Sequence, residues 1–144
     1  MKKLLLLFAL AGVLWACNTN DASNGVTFKF RMNSLTRYEA DVSVKPSNNN
    51  IYYYFDMEDV AYLQTYYKSK SMEYYVDDDD YDYLSKLGTF DKLVENGTLS
   101  RGEDSFVFDQ LDVPGTKWVL YAYQINRNLR RVGKVSYVTF TVPE

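Results

Sequence analysis

Alternation of apolar and polar residues is the feature that most narrows what this chain can fold into. In 26–32 (VTFKFRM) the residues Val26, Phe28, Phe30 and Met32 fall on one side. In 38–44 Tyr38, Ala40, Val42 and Val44 share a face, opposite Glu39, Asp41 and Ser43. A period of two places successive side chains on opposite sides of a strand, so each stretch predicts a strand with one face in a core. Residues 45–50 (KPSNNN) form a turn by composition, and 51–55 (IYYYF) is dense in β-formers, a third strand. Later strands are predicted at 105–108, 117–125 and 132–142, with a turn at 111–116 and a polar, basic loop at 126–131.

The period changes in the middle of the chain. Asp56 is placed to accept a hydrogen bond from the amide of Asp59 as a helix N-cap, with Phe55 packing on Val60 as a hydrophobic staple. Val60, Leu63 and Tyr67 then recur at helical spacing to about Lys68. A second helix is predicted from about Asp78 to Leu87, ended by Gly88, and a third over about Phe90–Glu95, starting at Thr89 and stopping at Asn96-Gly97. The reading is one mainly β domain, residues 26–144, with two to three helices inserted at about 57–96 between the third strand and the later ones.

The residue inventory excludes several chemistries. The chain has no histidine and one cysteine. There is thus no Ser-His-Asp triad, no Cys-His pair and no HExxH zinc site. No glycine loop of the phosphate-binding kind occurs either, so no cofactor and no metal are expected. Removing Lys2 and Lys3 with a leader takes the 16 basic residues to 14 against 19 acidic ones, a formal charge of −5. A mildly acidic domain of this kind is a poor partner for nucleic acid.

The single cysteine stands at the end of residues 14–17 (LWAC), after a positive start (Lys2, Lys3) and an apolar run from Leu4 to Leu14. That run is too short to span a bilayer, which takes about 20 residues, and it has the layout of a secretory signal. The pattern resembles the lipobox of bacterial lipoproteins. The resemblance implies a cleaved leader at residues 1–16 and a lipidated Cys17. Two or three acyl chains, at about 0.8 kcal/mol per buried methylene, would then hold the protein on a membrane. Residues 18–25 (NTNDASNG) are small and polar and read as a flexible tether. Asn18 is not the aspartate that retains enteric-type lipoproteins in the inner membrane, so the resemblance favours the outer membrane, on a face left open.

Residues 111–122, with Leu111, Pro114-Gly115-Thr116, Trp118, Leu120 and Ala122, resemble the passage from the fifth to the sixth strand of fibronectin type III domains. Trp118 stands where that family usually has the tyrosine of the tyrosine corner. Residues 137–141 (YVTFT) fit the family's last strand. The whole layout is similar to small lipoproteins of Bacteroidota-type bacteria, whose fibronectin type III/immunoglobulin-like sandwich carries helices in place of the middle strands. The group is largely without assigned function, so the resemblance implies a fold far more than an activity.

Three clusters are candidate sites. In the fibronectin-like phase Trp118, Leu120 and Ala122 face the sandwich core, and Tyr121 and Tyr123 face away from it. Tyr52 and Tyr54 share that outer face, because the third and sixth strands pair in this fold. Tyr137 joins them from the last strand. These rings form a candidate glycan- or peptide-binding face, or else they lie beneath the inserted helices, which must bury their own apolar stripe. Arg127, Arg130 and Arg131, with Lys134, make a basic tip that is a candidate contact loop for an acidic partner, or a solvated hairpin end. Asp78, Asp80 and Asp82 have the spacing of the first calcium ligands of an EF-hand, but Tyr83 and Thr89 replace its glycine and closing glutamate. An acidic first helical turn accounts for the run more simply. Carboxylates are abundant enough for glycoside hydrolysis, yet nothing in the sequence singles out a pair. Asn96-Gly97-Thr98 matches the glycosylation triplet and reads as a helix end.

The functional expectation is a lipid-anchored, non-enzymatic envelope module that binds a glycan, a peptide or a protein. A carboxylate-based polysaccharide hydrolase and a subunit of a surface assembly are the alternatives, and oligomeric state is left open. Cys17→Ala is expected to leave the precursor uncleaved or the protein unanchored, as globomycin treatment would. Lipid-modified, membrane-held material from the variant, seen by fractionation, would overturn the assignment.

Overall fold

The computed structural model describes residues 25–144. The leader expected at 1–16, Cys17 and tether residues 18–24 lie outside the described residues. Seven strands and a helical segment follow one another as β1 (Phe28–Leu35), β2 (Ala40–Pro46), β3 (Tyr52–Asp59), α1 (Val60–Tyr66), α2 (Met72–Tyr75), a π-turn (Val76–Asp80), α3 (Tyr81–Leu87), α4 (Phe90–Glu95), β4 (Ser100–Arg101), β5 (Asp104–Phe108), β6 (Lys117–Ile125) and β7 (Arg131–Thr141). All strand pairs are antiparallel and form two sheets, ordered β1-β2-β5 and β4-β3-β6-β7. Among the described residues no helix is long and apolar enough to cross a membrane.

The alternation in the sequence is spent on the space between the sheets. Phe28, Phe30, Met32, Val42 and Val44 from one sheet meet Tyr53, Met57, Leu120, Ala122, Val138 and Phe140 from the other in one buried cluster. The Phe28 and Tyr53 rings lie 5.0 Å apart. The Tyr53 hydroxyl leaves this core to donate to the Gly102 carbonyl at 2.7 Å, so a large ring is buried without stranding its polar end. The sheets are also tied by Phe28 N–H, which donates to Ser136 Oγ at 3.1 Å. After the Pro114 turn, Gly115 has φ +81°, a value that favours glycine. Its N–H donates to Val142 O, and Val142 N–H returns to Thr116 O.

A second cluster lies on the far face of the four-stranded sheet. Tyr54, Val119, Tyr121, Tyr123, Ile125 and Val135 are buried there under Tyr75, Val76, Leu84, Phe90 and Leu93 of the helical layer. β6 is therefore apolar on both faces, with consecutive residues Val119 to Tyr123 all buried.

Several boundaries depart from expectation. The first helix is capped by Asp59, whose Oδ1 accepts from Ala61 N–H at 2.8 Å, and not by Asp56. The reason is that β3 continues through the position expected to turn, pairing with β6 as far as Asp59 with Trp118. The staple of Phe55 on Val60 does not form, since Phe55 packs against the inter-sheet core and Val60 against the helical one. The second helical run begins at Met72, capped by the Ser71 hydroxyl on Tyr74 N–H at 3.1 Å, and passes through the π-turn before reaching α3. The third helix spans Phe90–Glu95 with Thr89 as its cap, as the sequence indicates. The two-residue β4 has no counterpart in the sequence reading.

Phe28 is fully buried and Phe106 is 55% exposed. Phe28→Ala is therefore expected to lower unfolding free energy by about 3–5 kcal/mol, whereas Phe106→Ala should change it by no more than about 0.5 kcal/mol. Urea denaturation with an unchanged m value for both variants checks this.

Candidate functional site

The four tyrosines singled out as a candidate binding face are brought together, but beneath the helical layer. Tyr121 and Tyr123, two apart on β6, point the same way with their rings 3° from parallel. Both hydroxyls donate to one carboxyl group, Tyr121 to Asp80 Oδ1 at 2.9 Å and Tyr123 to Asp80 Oδ2 at 3.0 Å. Tyr54 packs edge-on against Tyr123 and donates to Asp56 Oδ2 at 2.9 Å. Tyr52 is half-buried, with Phe90 edge-on to its ring and the Arg101 guanidinium over it. Tyr75 of α2 completes the layer, donating to Glu58 Oε2 at 2.8 Å. These rings offer no open platform, because the apolar stripe of the helices needs the same face.

The acidic run is divided by the π-turn. Asp77 and Asp78 remain exposed and Asp79 half-buried, while Asp80 turns inward and is almost fully buried. Asp78 and Asp79 accept from the Tyr67 and Tyr62 hydroxyls, at 2.9 and 3.3 Å. Among the described residues no group of three or more acidic or other metal-ligating side chains is arranged to hold a metal ion. Burial pushes the Asp80 carboxyl up to about 8, against the opposing pull of its two tyrosine hydroxyls. Burial likewise raises Asp56 and Glu58 above the usual carboxylate range.

The candidate contact loop is also claimed by the helical layer. Arg131 forks onto Asp77, with Nε at 3.0 Å and Nη2 at 2.8 Å. Arg130 stacks on the Tyr81 ring, and Arg127 lies over Phe90 with Nη1 3.3 Å from Asp91. The Arg131 pair is partly shielded, while the Arg127 pair is highly exposed and worth little.

An open groove among the described residues lies elsewhere. β4 pairs only with Tyr52 and Tyr53, so from Tyr54 onward β3 is an edge strand, and β5 is the edge of the facing sheet. Between these edges run two adjoining hollows of about 240 and 430 Å³, both lined by Asp56, Tyr83, Phe106 and Phe108. Tyr83 overhangs from α3. Toward one end the lining is Gly97, Thr98, Ser100 and Asp104, and toward the other Asp109, Gln110, Leu111 and Trp118. Tyr83 and Phe106 are about half exposed, at 52% and 55%.

Along the groove the edge amides are closed by the acids that precede them. Met57 N–H donates to Asp56 Oδ1, Asp59 N–H to Glu58 Oε1 and Ser105 N–H to Asp104 Oδ1, all at 2.8–2.9 Å. A carboxylate folded onto its neighbour's amide removes a donor that another strand would need. The sequence did not mark this groove. Phe106, Val107 and Phe108 are apolar in both phases, so alternation cannot say whether the two rings or Val107 face outward. Tyr83 is one of 14 tyrosines, and only its place on α3 distinguishes it. Comparison with known proteins found no matching family model, no matching curated protein and no matching solved structure.

Asp80→Ala is expected to cost about 2–4 kcal/mol, because it strands two buried hydroxyls. The native Asp80 holds a proton that the unfolded chain releases. Its contribution is therefore full below the ordinary carboxylate range and is lost as pH rises through about 8. Asp56 and Glu58 act with the same sign. The urea midpoint should fall between pH 5 and pH 9, and fall less in Asp80→Asn. An identical pH slope in that variant would count against the assignment.

Proposed function

We propose that the protein is a lipid-anchored binding module of the cell envelope, non-enzymatic, which seats a glycan, peptide or protein ligand in the groove between β3 and β5. The observation that carries this reading is the pair of half-exposed rings, Tyr83 and Phe106, standing over a hollow that no other described residue fills. Rings of this size are normally buried, and apolar surface left in a concavity marks a place where something docks. The anchor rests on the lipobox resemblance at Cys17, which also favours an outer-membrane location.

The fibronectin type III/immunoglobulin-like reading of the sandwich is part of the proposal. It is supported by the partition of strands: the third, sixth and seventh share one sheet, and the first, second and fifth the other. In place of the corner tyrosine, Trp118 donates its indole N–H to Thr116 Oγ1 at 3.2 Å. In this view the helices replace the middle of the sandwich and leave its edge open as the groove.

A second reading, a carboxylate-based polysaccharide hydrolase, is favoured by one observation. Asp56, raised by burial, shares the groove with Asp104 and Asp109. Against it, Asp56 and Asp104 each already accept two hydrogen bonds from the chain, from Tyr54 O–H and Met57 N–H, and from Ser100 O–H and Ser105 N–H. The capped edges weigh against a surface assembly built by strand addition.

The test titrates the full-length protein with peptidoglycan fragments, surface polysaccharide and envelope peptides while NMR signals of the aromatic residues are followed. A ligand is expected to shift Tyr83, Phe106 and Phe108, and to lose at least about tenfold in affinity on Phe106→Arg. Ligands that bind and leave these signals unmoved overturn the groove. New reducing ends from the polysaccharide, lost in Asp56→Asn, would replace the binding module with the hydrolase.

A further inference from the structure

The composition of the groove selects a ligand chemistry, an inference that rests on the groove being the binding site. Its lining offers the rings of Tyr83, Phe106, Phe108 and Trp118 and the carboxyl groups of Asp56, Asp104 and Asp109, and it includes no lysine or arginine. Arg31 lines a separate polar hollow with Glu103 and Asp104. Among the described residues, Asp56 and Asp109 thus remain the groove acids with no basic residue beside them in either hollow. An anion entering here would meet like charge and no donor cation.

Several other rings of the described residues carry a cation over one face, although the exposed Tyr66 does not. Arg37 lies over Tyr38 at 5.6 Å, Lys70 over Tyr74 at 4.8 Å, Arg101 over Tyr52 at 5.4 Å and Arg127 over Phe90 at 5.2 Å. Among the described residues no cation lies over Tyr83, Phe106, Phe108 or Trp118. A ring face is the negative part of the aromatic quadrupole and attracts a cation within about 6 Å. In the groove the faces are present and the cation is missing. The nearby acids supply the charge that complements it.

We propose that the groove binds the guanidinium group of an arginine-bearing peptide segment, stacked on the Tyr83 and Phe106 rings and paired with Asp109 and Asp56. Guanidinium is suited to both partners at once, because it is planar enough to stack and forked enough to bridge a carboxylate. Recognition is by side chain and not by strand addition, since Met57, Asp59 and Ser105 have their amides capped.

The experiment is calorimetry on the full-length protein in detergent micelles. The probes are acetyl-Gly-Arg-Gly-Arg-Gly-amide, the same peptide with citrulline at both arginine positions, and the neutral oligosaccharide chitotetraose. The arginine peptide is expected to bind, and the citrulline peptide, matched in shape but uncharged, to bind at least about tenfold more weakly. Phe106→Ala and Asp109→Asn, both at exposed positions, should each weaken the arginine peptide by about 5- to 10-fold. Asp91→Asn, the same charge change on α4 outside the lining, should leave its affinity within about twofold.

Equal binding of the two peptides overturns the inference, as does an Asp91→Asn loss as large as that of Asp109→Asn. Chitotetraose binding that is lost in Phe106→Ala, with no arginine-peptide binding, overturns the guanidinium assignment and leaves the groove as the site. Absence of binding by all three probes, or binding indifferent to Phe106, overturns the inference and the groove reading together.

Discussion

A strand buried on both faces has to find an acceptor for every hydroxyl it carries inward, and β6 meets that demand with one side chain. Tyr121 and Tyr123 present two hydroxyls side by side, and the two oxygens of Asp80 receive one each. On the sheet itself the acids Asp56 and Glu58 receive Tyr54 and Tyr75, and the acceptor for Tyr121 and Tyr123 lies on no strand. It comes from the helical layer, and only because the π-turn at Val76–Asp80 swings the last of four consecutive aspartates inward. The cost of burying a carboxyl group is met by hydrogen bonding and by holding it protonated, which is the physical content of its raised pKa. Packing of α2 and α3 on the sheet is therefore directed by polar geometry as well as by apolar area.

Once the layer is fixed at that point, its remaining contacts follow. Glu73 on α2 accepts from Val135 N–H on β7, Arg131 on β7 forks onto Asp77, and Tyr75 reaches Glu58 on β3. These links run across β3, β6 and β7 and stop there. The fourth position of the sheet is held by only two residues of β4, so the helices cover the sheet's middle and not its open edge. Tyr83, one turn past Asp80, overhangs that edge. The groove is thus a consequence of where the helical layer is latched, combined with a fourth strand too short to close the sandwich.

What the sequence disclosed and what it withheld divide along the same physical line. Period-two alternation reports which face of a strand meets a core, so β1 and the Ala40, Val42 and Val44 face of β2 were legible, though Tyr38, expected on that face, lies before β2 and is exposed. The two faces of β6 and its pairing with β3 were implied by the fibronectin-like resemblance. The sequence also held both fates of the tyrosine face, open or covered, and the need of the helices for an apolar surface favoured the covered one. It did not report that Asp56 stays in a strand. An aspartate before a helical pattern is a cap signal, yet here Tyr54 and Met57 engage its carboxyl within the sheet, and the true cap lies at Asp59. Nor did it report the inward turn of Asp80, because four identical residues carry no information about which one a π-turn selects. The groove was illegible for a related reason: it depends on the length of β4 and on the rotation of α3, neither of which leaves a periodic trace.

The disposition of charge separates groups occupied with the fold from groups that are not. The basic tip at Arg127, Arg130 and Arg131 looks like a recognition loop in sequence, but its cations are spent on Asp91, Tyr81 and Asp77, and a partner would have to compete with those contacts. The acids of the groove are occupied in a different sense. Asp56 and Asp104 take backbone amides out of reach and so prevent edge-to-edge pairing, and each carboxylate still has lone pairs beyond the bonds it accepts. Capping removes backbone donors from the groove edges and leaves carboxyl acceptors and ring faces beside a few neutral side-chain donors such as Gln110. A surface built that way repels anions and strand edges alike, and the ligand that suits it brings donors and positive charge of its own.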